Sequence, residues 1–126
     1  MSDADRAYEL AQREIAEAAR TGIVRLDLSG KAFHALDRLP PEITRLATLE
    51  TLSLRYTQIA NVASLANLTL LENLDLDGTP VNDLSALAGL TRLTGLFLEN
   101  TKVTDLTPLS GLLDLEGLKL ANTGVK

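Results

Sequence analysis

LETLSLRYTQIANVASLANLTL (residues 49–70), LENLDLDGTPVNDLSALAGLTR (71–92) and LTGLFLENTKVTDLTPLSGLLD (93–114) are one pattern written three times. Leu49, Leu52, Leu54, Thr57, Ile59, Val62, Leu65 and Leu68 recur 22 residues later as Leu71, Leu74, Leu76, Thr79, Val81, Leu84, Leu87 and Leu90. They recur again as Leu93, Leu96, Leu98, Thr101, Val103, Leu106, Leu109 and Leu112. A fourth copy is partial: Leu115, Leu118, Leu120, Thr123 and Val125. Repetition at a fixed short period is the signature of a solenoid, in which each unit buries its apolar face only against its neighbours.

The spacing inside the unit sets its local structure. Leucines at 52/54, 74/76, 96/98 and 118/120 alternate with polar or small residues, the period of a half-buried strand. The spacing then changes to three, at Val62-Leu65-Leu68, Leu84-Leu87-Leu90 and Leu106-Leu109-Leu112, which predicts 3₁₀ or helical turns with one buried stripe. Asn61, Asp83 and Asp105 precede these turns, where a short polar side chain caps free N–H groups. Asn67, Gly89 and Gly111 are expected to supply left-handed residues that turn the chain back. Thr57, Thr79, Thr101 and Thr123 are expected to stack just after the strands and bond backbone groups in the bend.

Working outward, a variant turn of 26 residues starts at Ile23 and carries Leu26, Leu28, Phe33, Leu36, Leu39, Ile43 and Leu46, with a small insertion near residues 36–38. Before it, Ala4, Ala7, Tyr8, Ala11, Ile15 and Ala18 share one face of a helix. Ser2 with Asp5 resembles a capping box, and Gly22 is a C-terminal stop. Residues 1–22 are therefore predicted to be an α-helical cap over the strand that starts at Ile23, and residues 23–126 a repeat region of five strands, the last repeat incomplete. The final layer, Leu115, Leu118, Leu120 and Val125, has no cap after it in this sequence.

Composition narrows the chemistry. The chain has 126 residues, enough for one core, and aromatic residues are 3 %, so that core is aliphatic. There is no Cys, which excludes a thiol nucleophile and a thiolate metal site. The net charge of −5 argues against a nucleic-acid backbone as partner. No stretch approaches the about 20 apolar residues of a membrane span. The N-terminal residues are charged and show no apolar run, so a cytoplasmic location is expected. His34 is the only histidine and falls in the variant loop, leaving zinc chemistry and a Ser–His–Asp arrangement without support. No phosphate loop is present. The chain is read as having no enzymatic activity, no metal and no cofactor.

The strand residues that point away from the leucines form three columns across the sheet: Arg25, Thr51, Asn73, Gly95, Gly117; then Asp27, Ser53, Asp75, Phe97, Lys119; then Ser29, Arg55, Asp77, Glu99, Ala121. Strands about 4.8 Å apart make them one continuous patch. Asp75, Asp77 and Glu99 cluster on it although like charges across adjacent strands are destabilising. Phe97 is an aromatic at an outward strand position, the residue type that anchors binding hot spots. The partner-binding residues are accordingly Asp27, Arg55, Asp75, Asp77, Phe97, Glu99 and Lys119, and the partner is expected to be basic there.

The LxxLxLxxTxV motif resembles the leucine-rich-repeat family. The 22-residue turns are similar to its internalin-like, short bacterial subclass, and LPPEITRL (residues 39–46) resembles the LPxxIxxL type found in bacterial chains whose repeats precede a signalling domain. The resemblance covers residues 23–126. It implies an α/β solenoid with a parallel β-sheet on the concave face and short helical or 3₁₀ segments opposite. It also implies a protein–protein interaction module, the recognition part of a longer signalling protein. The sequence departs from the family pattern in carrying Thr in place of the usual ladder Asn. The alternative is a self-assembly unit, a homodimer joined through the open C-terminal repeat.

Overall fold

Each LxL alternation becomes a short strand, and all five strands lie side by side in sequence order. The computed structural model describes residues 1–125; Lys126, the last residue of the expected repeat region, lies outside the described residues. Helix α1 (Asp3–Thr21) is followed by β1 (Arg25–Asp27), β2 (Thr51–Ser53), β3 (Asn73–Asp75), β4 (Gly95–Phe97) and β5 (Gly117–Lys119). Every pairing is parallel, and Leu26, Leu52, Leu74, Leu96 and Leu118 stand in register. Between strands, 3₁₀ segments at Lys31–Phe33, Pro41–Arg45, Ala63–Asn67, Ser85–Leu87 and Thr107–Leu109 form the opposite side. The leucines of both sides meet in one core that runs the length of the stack.

The three-residue spacing has a direct backbone cause. Leu65, Leu68 and Leu71 donate in succession to Val62, Leu65 and Leu68 carbonyls, and the next two repeats copy the chain of bonds. Residues that carry these i→i+3 bonds eclipse one another, so one apolar stripe faces the core. Asn61, Asp83 and Asp105 each accept from the N–H two residues on, at 2.9 Å, and start the segments as the sequence indicates. These bonds also hold the Asp83 and Asp105 carboxyls below the usual carboxylate range.

The expected left-handed turns are elsewhere. Asn67, Gly89 and Gly111 do not have positive φ; the repeating positive-φ residues are Tyr56, Gly78, Asn100 and Asn122. The chain returns to the next strand through its succession of 3₁₀ bonds, which needs no left-handed residue. It is the exit from β2, β3, β4 and β5 that does. Thr57 N–H bonds the Leu54 carbonyl, so Tyr56 is the third residue of a four-residue turn, where type II geometry requires positive φ. Thr57, Thr79, Thr101 and Thr123 close the same turn by donating their hydroxyls to the Leu54, Leu76, Leu98 and Leu120 carbonyls.

At the N-terminus, Ser2 caps α1 by accepting from Asp5 N–H at 3.1 Å, and Gly22, at φ 71°, ends it. Ala7, Ala11, Ile15 and Ala18 are buried. The helix packs chiefly on the 3₁₀ segments Lys31–Phe33 and Pro41–Arg45, rather than over β1. Arg38 fastens it there, with its guanidinium 4.1 Å above the Tyr8 ring and ion pairs to Asp37 at 2.9 Å and Asp5 at 3.4 Å. Hydrogen bonds from Ser2 and then Arg38 lower the Asp5 carboxyl. Ile23 does not take the core place that Leu49 takes in the next repeat, and is 44 % exposed. It follows the helix cap directly, with no 3₁₀ segment to deliver it to the core. At the other end Leu118 is 37 % exposed and Leu115, Leu120 and Val125 are only partly buried, so the last layer is covered on one side.

Candidate functional site

The sheet face displays the three columns in the register the repeat requires, with Asp75 opposite Phe97 and Phe97 opposite Lys119. Its central column does more than face solvent. Asp27 accepts from Ser29 N–H at 2.9 Å, Ser53 from Arg55 N–H at 3.4 Å, and Asp75 from Asp77 N–H at 3.0 Å. Each is a local turn in which a short polar side chain holds the N–H two residues on. Phe97 has no oxygen to offer. There the N–H of Glu99 is taken instead by Asp77 Oδ1, reaching across from the preceding repeat at 2.8 Å.

This bond revises the role of Asp77. It is only 8 % exposed and one of its carboxylate oxygens is engaged, so it belongs to the frame of the face rather than to its free surface. Asp75 and Glu99 remain half-exposed on either side of Phe97. Burial pushes the Asp75 carboxyl up and the Asp77 charge adds to this, against the lowering effect of the Asp77 N–H bond. Asp27 stands two strands from Asp75, roughly 10 Å away at normal strand spacing, and is exposed with Lys119 at the two ends of the column.

Phe97 is half-buried because its ring lies along β4. A Cβ added at Gly95 would sit 3.6 Å from Phe97 Cε2 and 2.5 Å from Asn73 Oδ1. Glycine at 95 therefore lets the Asn73 amide and the Phe97 ring close over the strand. The result is a low, partly apolar surface edged by two carboxylates, with Arg55 one strand to one side and Lys119 one strand to the other.

Tyr56 escapes notice in the sequence. It holds φ 62°, where its counterparts are Gly78, Asn100 and Asn122. A left-handed backbone costs an ordinary L-residue about 1–2 kcal/mol, while Gly and Asn adopt it readily. The ring lies across Gly78, close enough that a Cβ there would be 2.2 Å from Tyr56 Cδ1, yet Tyr56 is 45 % exposed. The Arg55 guanidinium sits 4.8 Å over the ring and Nη2 donates to the Tyr56 hydroxyl at 3.1 Å. The His34 ring meets Tyr56 edge to face at 6.4 Å between centroids. The readable signal was a tyrosine in a column otherwise made of Gly and Asn.

Among the described residues no group of acidic residues and His is arranged to hold a metal ion. Among the same residues, no helix is long and apolar enough to cross a membrane.

Residues 47–89 match the family of leucine-rich repeats, in two copies. Internalin C2 from Listeria monocytogenes is 32 % identical, covering 75 % of this chain and 48 % of its own, with a TM-score of 0.65. A second Listeria monocytogenes internalin (inlF) is 25 % identical, covering 99 % of this chain and 44 % of its own, with a TM-score of 0.68. A leucine-rich-repeat protein from Leptospira interrogans is 30 % identical, covering 71 % of this chain and 24 % of its own, with a TM-score of 0.66. The chain thus spans less than half the length of each of these structures. No curated protein matches it in sequence.

Proposed function

We propose that this chain, a leucine-rich-repeat protein of the internalin-like kind, binds a protein partner on its concave, sheet-bearing face and serves as the recognition part of a longer signalling protein. Proteins of this kind are interaction modules rather than enzymes. The observation that carries the reading is Phe97. It occupies the column where the three preceding repeats place Asp or Ser turn-holders, it stays half-exposed, and it has Asp75 and Glu99 beside it. An aromatic flanked by carboxylates suits a partner segment that carries Lys or Arg, through cation–π contact and charge pairing.

The test starts from a partner captured by the wild-type chain from cells that produce it, and capture alone decides nothing. Phe97→Ala should weaken that partner by about tenfold or more, as truncating an aromatic anchor does, with no fall in melting temperature. Glu99→Lys should slow association, and more so at low salt. Charge reversal at Asp77 is unsuitable, because it would break the bond to Glu99 N–H. A partner that binds the Phe97→Ala, Glu99→Lys chain as tightly as wild type overturns the assignment.

A second reading, self-assembly, is favoured by one observation. Leu113 is 88 % exposed and Leu118 37 %, beside the partly covered last layer. An apolar layer with a free strand edge is a template for association. Light scattering over a wide concentration range separates the two, since self-assembly raises the mass without any partner.

A further inference from the structure

We infer that Tyr56, Arg55 and His34 form a second docking subsite, for an acidic segment of a protein partner, at the edge of the sheet face. The inference rests on the reading that the chain binds protein from this side. It begins with a residue type that the turn itself does not require. Tyr56 N–H donates to the Asp77 carbonyl, and Gly78 and Asn100 make the same bond to the carbonyls of Glu99 and Ala121. The turn is therefore built equally well by Gly or Asn, which fit its positive φ without the steric conflict of a large side chain. A bulky residue kept in such a conformation points toward a use for its side chain.

That side chain is arranged as a platform. The ring rests on Gly78, is 45 % exposed, and is flanked by Arg55 over its face and His34 at its edge. The stack and the bond to the Tyr56 hydroxyl fix the Arg55 guanidinium, which lowers the ordering cost of using it for recognition. Among the described residues, no carboxylate lies within ion-pair distance of Arg55, and the ion pairs present all involve other arginines. Asp75 and Asp77 act on Arg55 through space without a direct ion pair, and Asp77 Oδ1 accepts from Glu99 N–H instead. Arg55 therefore presents an oriented fork of N–H donors, the geometry that takes a carboxylate with two bonds. Tyr and Arg are also the residue types enriched where binding energy concentrates. The sheet side is consequently polarised, with a cationic aromatic platform after β2 and carboxylates around Phe97 on β3 and β4.

A capped hexaglutamate peptide, titrated into isotope-labelled protein and followed by NMR, tests the inference. General attraction does not assist this probe, since the chain carries a net charge of −5. The expected result is weak, salt-sensitive binding that shifts the Arg55 Nε–H and the Tyr56 and His34 ring signals. Tyr56→Asn should abolish the shifts of Arg55 Nε–H and the His34 ring, Arg55→Gln those of the Tyr56 and His34 rings, and Tyr56→Asn should melt no lower than wild type. Shifts absent from this platform, or persisting in Tyr56→Asn, overturn the subsite. A marked drop in melting temperature in Tyr56→Asn also overturns it, because the ring would then be a packing element. Capped hexalysine, run in parallel, should shift Phe97 and its neighbours Asp75 and Glu99. Its failure counts against the sheet-face reading, and the failure of hexaglutamate counts against the platform alone.

Discussion

Removing the Asp77 carboxylate should destabilise the fold by an amount that depends on what stands at position 97. Asp77 Oδ1 accepts the Glu99 N–H at 2.8 Å, in a partly buried setting. A hydrogen bond to a charged acceptor is worth about 1.5–3 kcal/mol. Asp77→Ala also removes a charge that opposes ionisation of Asp75, which offsets part of the loss. The net cost should be roughly 1–2 kcal/mol. In a Phe97→Asn background the new amide oxygen can hold Glu99 N–H from within its own repeat, as Asp75 holds Asp77 N–H. Asp77→Ala should then cost about 1 kcal/mol less, a coupling above the ~0.3–0.5 kcal/mol scatter of independent sites. Equilibrium urea unfolding of the four proteins measures the cycle, and Asp77→Asn, which keeps the acceptor, should lose little. Equal costs of Asp77→Ala in both backgrounds would refute the idea that Asp77 stands in for the missing turn-holder at 97.

Leu74→Ala, at a fully buried position, should cost about 2–5 kcal/mol in urea unfolding, whereas Leu118→Ala, 37 % exposed on the last layer, should cost far less. Gly78→Ala should destabilise by at least the ~1–2 kcal/mol of a left-handed L-residue, because φ is 70° and the new Cβ would meet the Tyr56 ring. Gly89→Ala, with open space and no positive φ, should instead be neutral or stabilising in the same assay. The Asp75 carboxyl is raised in the folded state, so its contribution to stability is present below the unfolded carboxylate value and lost as pH rises through the folded one. Asp75→Asn should therefore gain on wild type at pH 7, with the gain vanishing toward pH 3. Asp83 is lowered, so its contribution is present above the unfolded value and lost as pH falls; the deficit of Asp83→Ala in thermal melts should be largest at neutral pH and shrink in acid.

The strands, their register and the three outward columns were legible because a leucine at every 22nd residue allows only one stacking. The caps at Asn61, Asp83 and Asp105 were legible for a similar local reason, since short acceptors precede a run of free N–H groups. The left-handed positions were misplaced. Gly89 and Gly111 look like helix stops, but the 3₁₀ bonds continue past them into the next strand, and the strained turn lies at 56, 78, 100 and 122. Ile23 matched the leucine pattern yet stays outside, because burial there depends on a preceding segment that the capping helix replaces. On the face, the sequence pattern put Asp75, Asp77, Phe97 and Glu99 together. It did not reveal that Asp77 is committed to a neighbouring repeat, which depends on a side-chain reach between turns. Nor did it reveal the Tyr56 platform, which arises from backbone conformation.

The most direct test of sheet-face binding compares two photoreactive chains, one with a benzophenone amino acid in place of Phe97 and one with it in place of Ala66, exposed on the 3₁₀ side. If the partner lies on the sheet face, illumination of the complex crosslinks it from position 97 and not from position 66. Crosslinking from position 66 with none from 97 would contradict sheet-face binding.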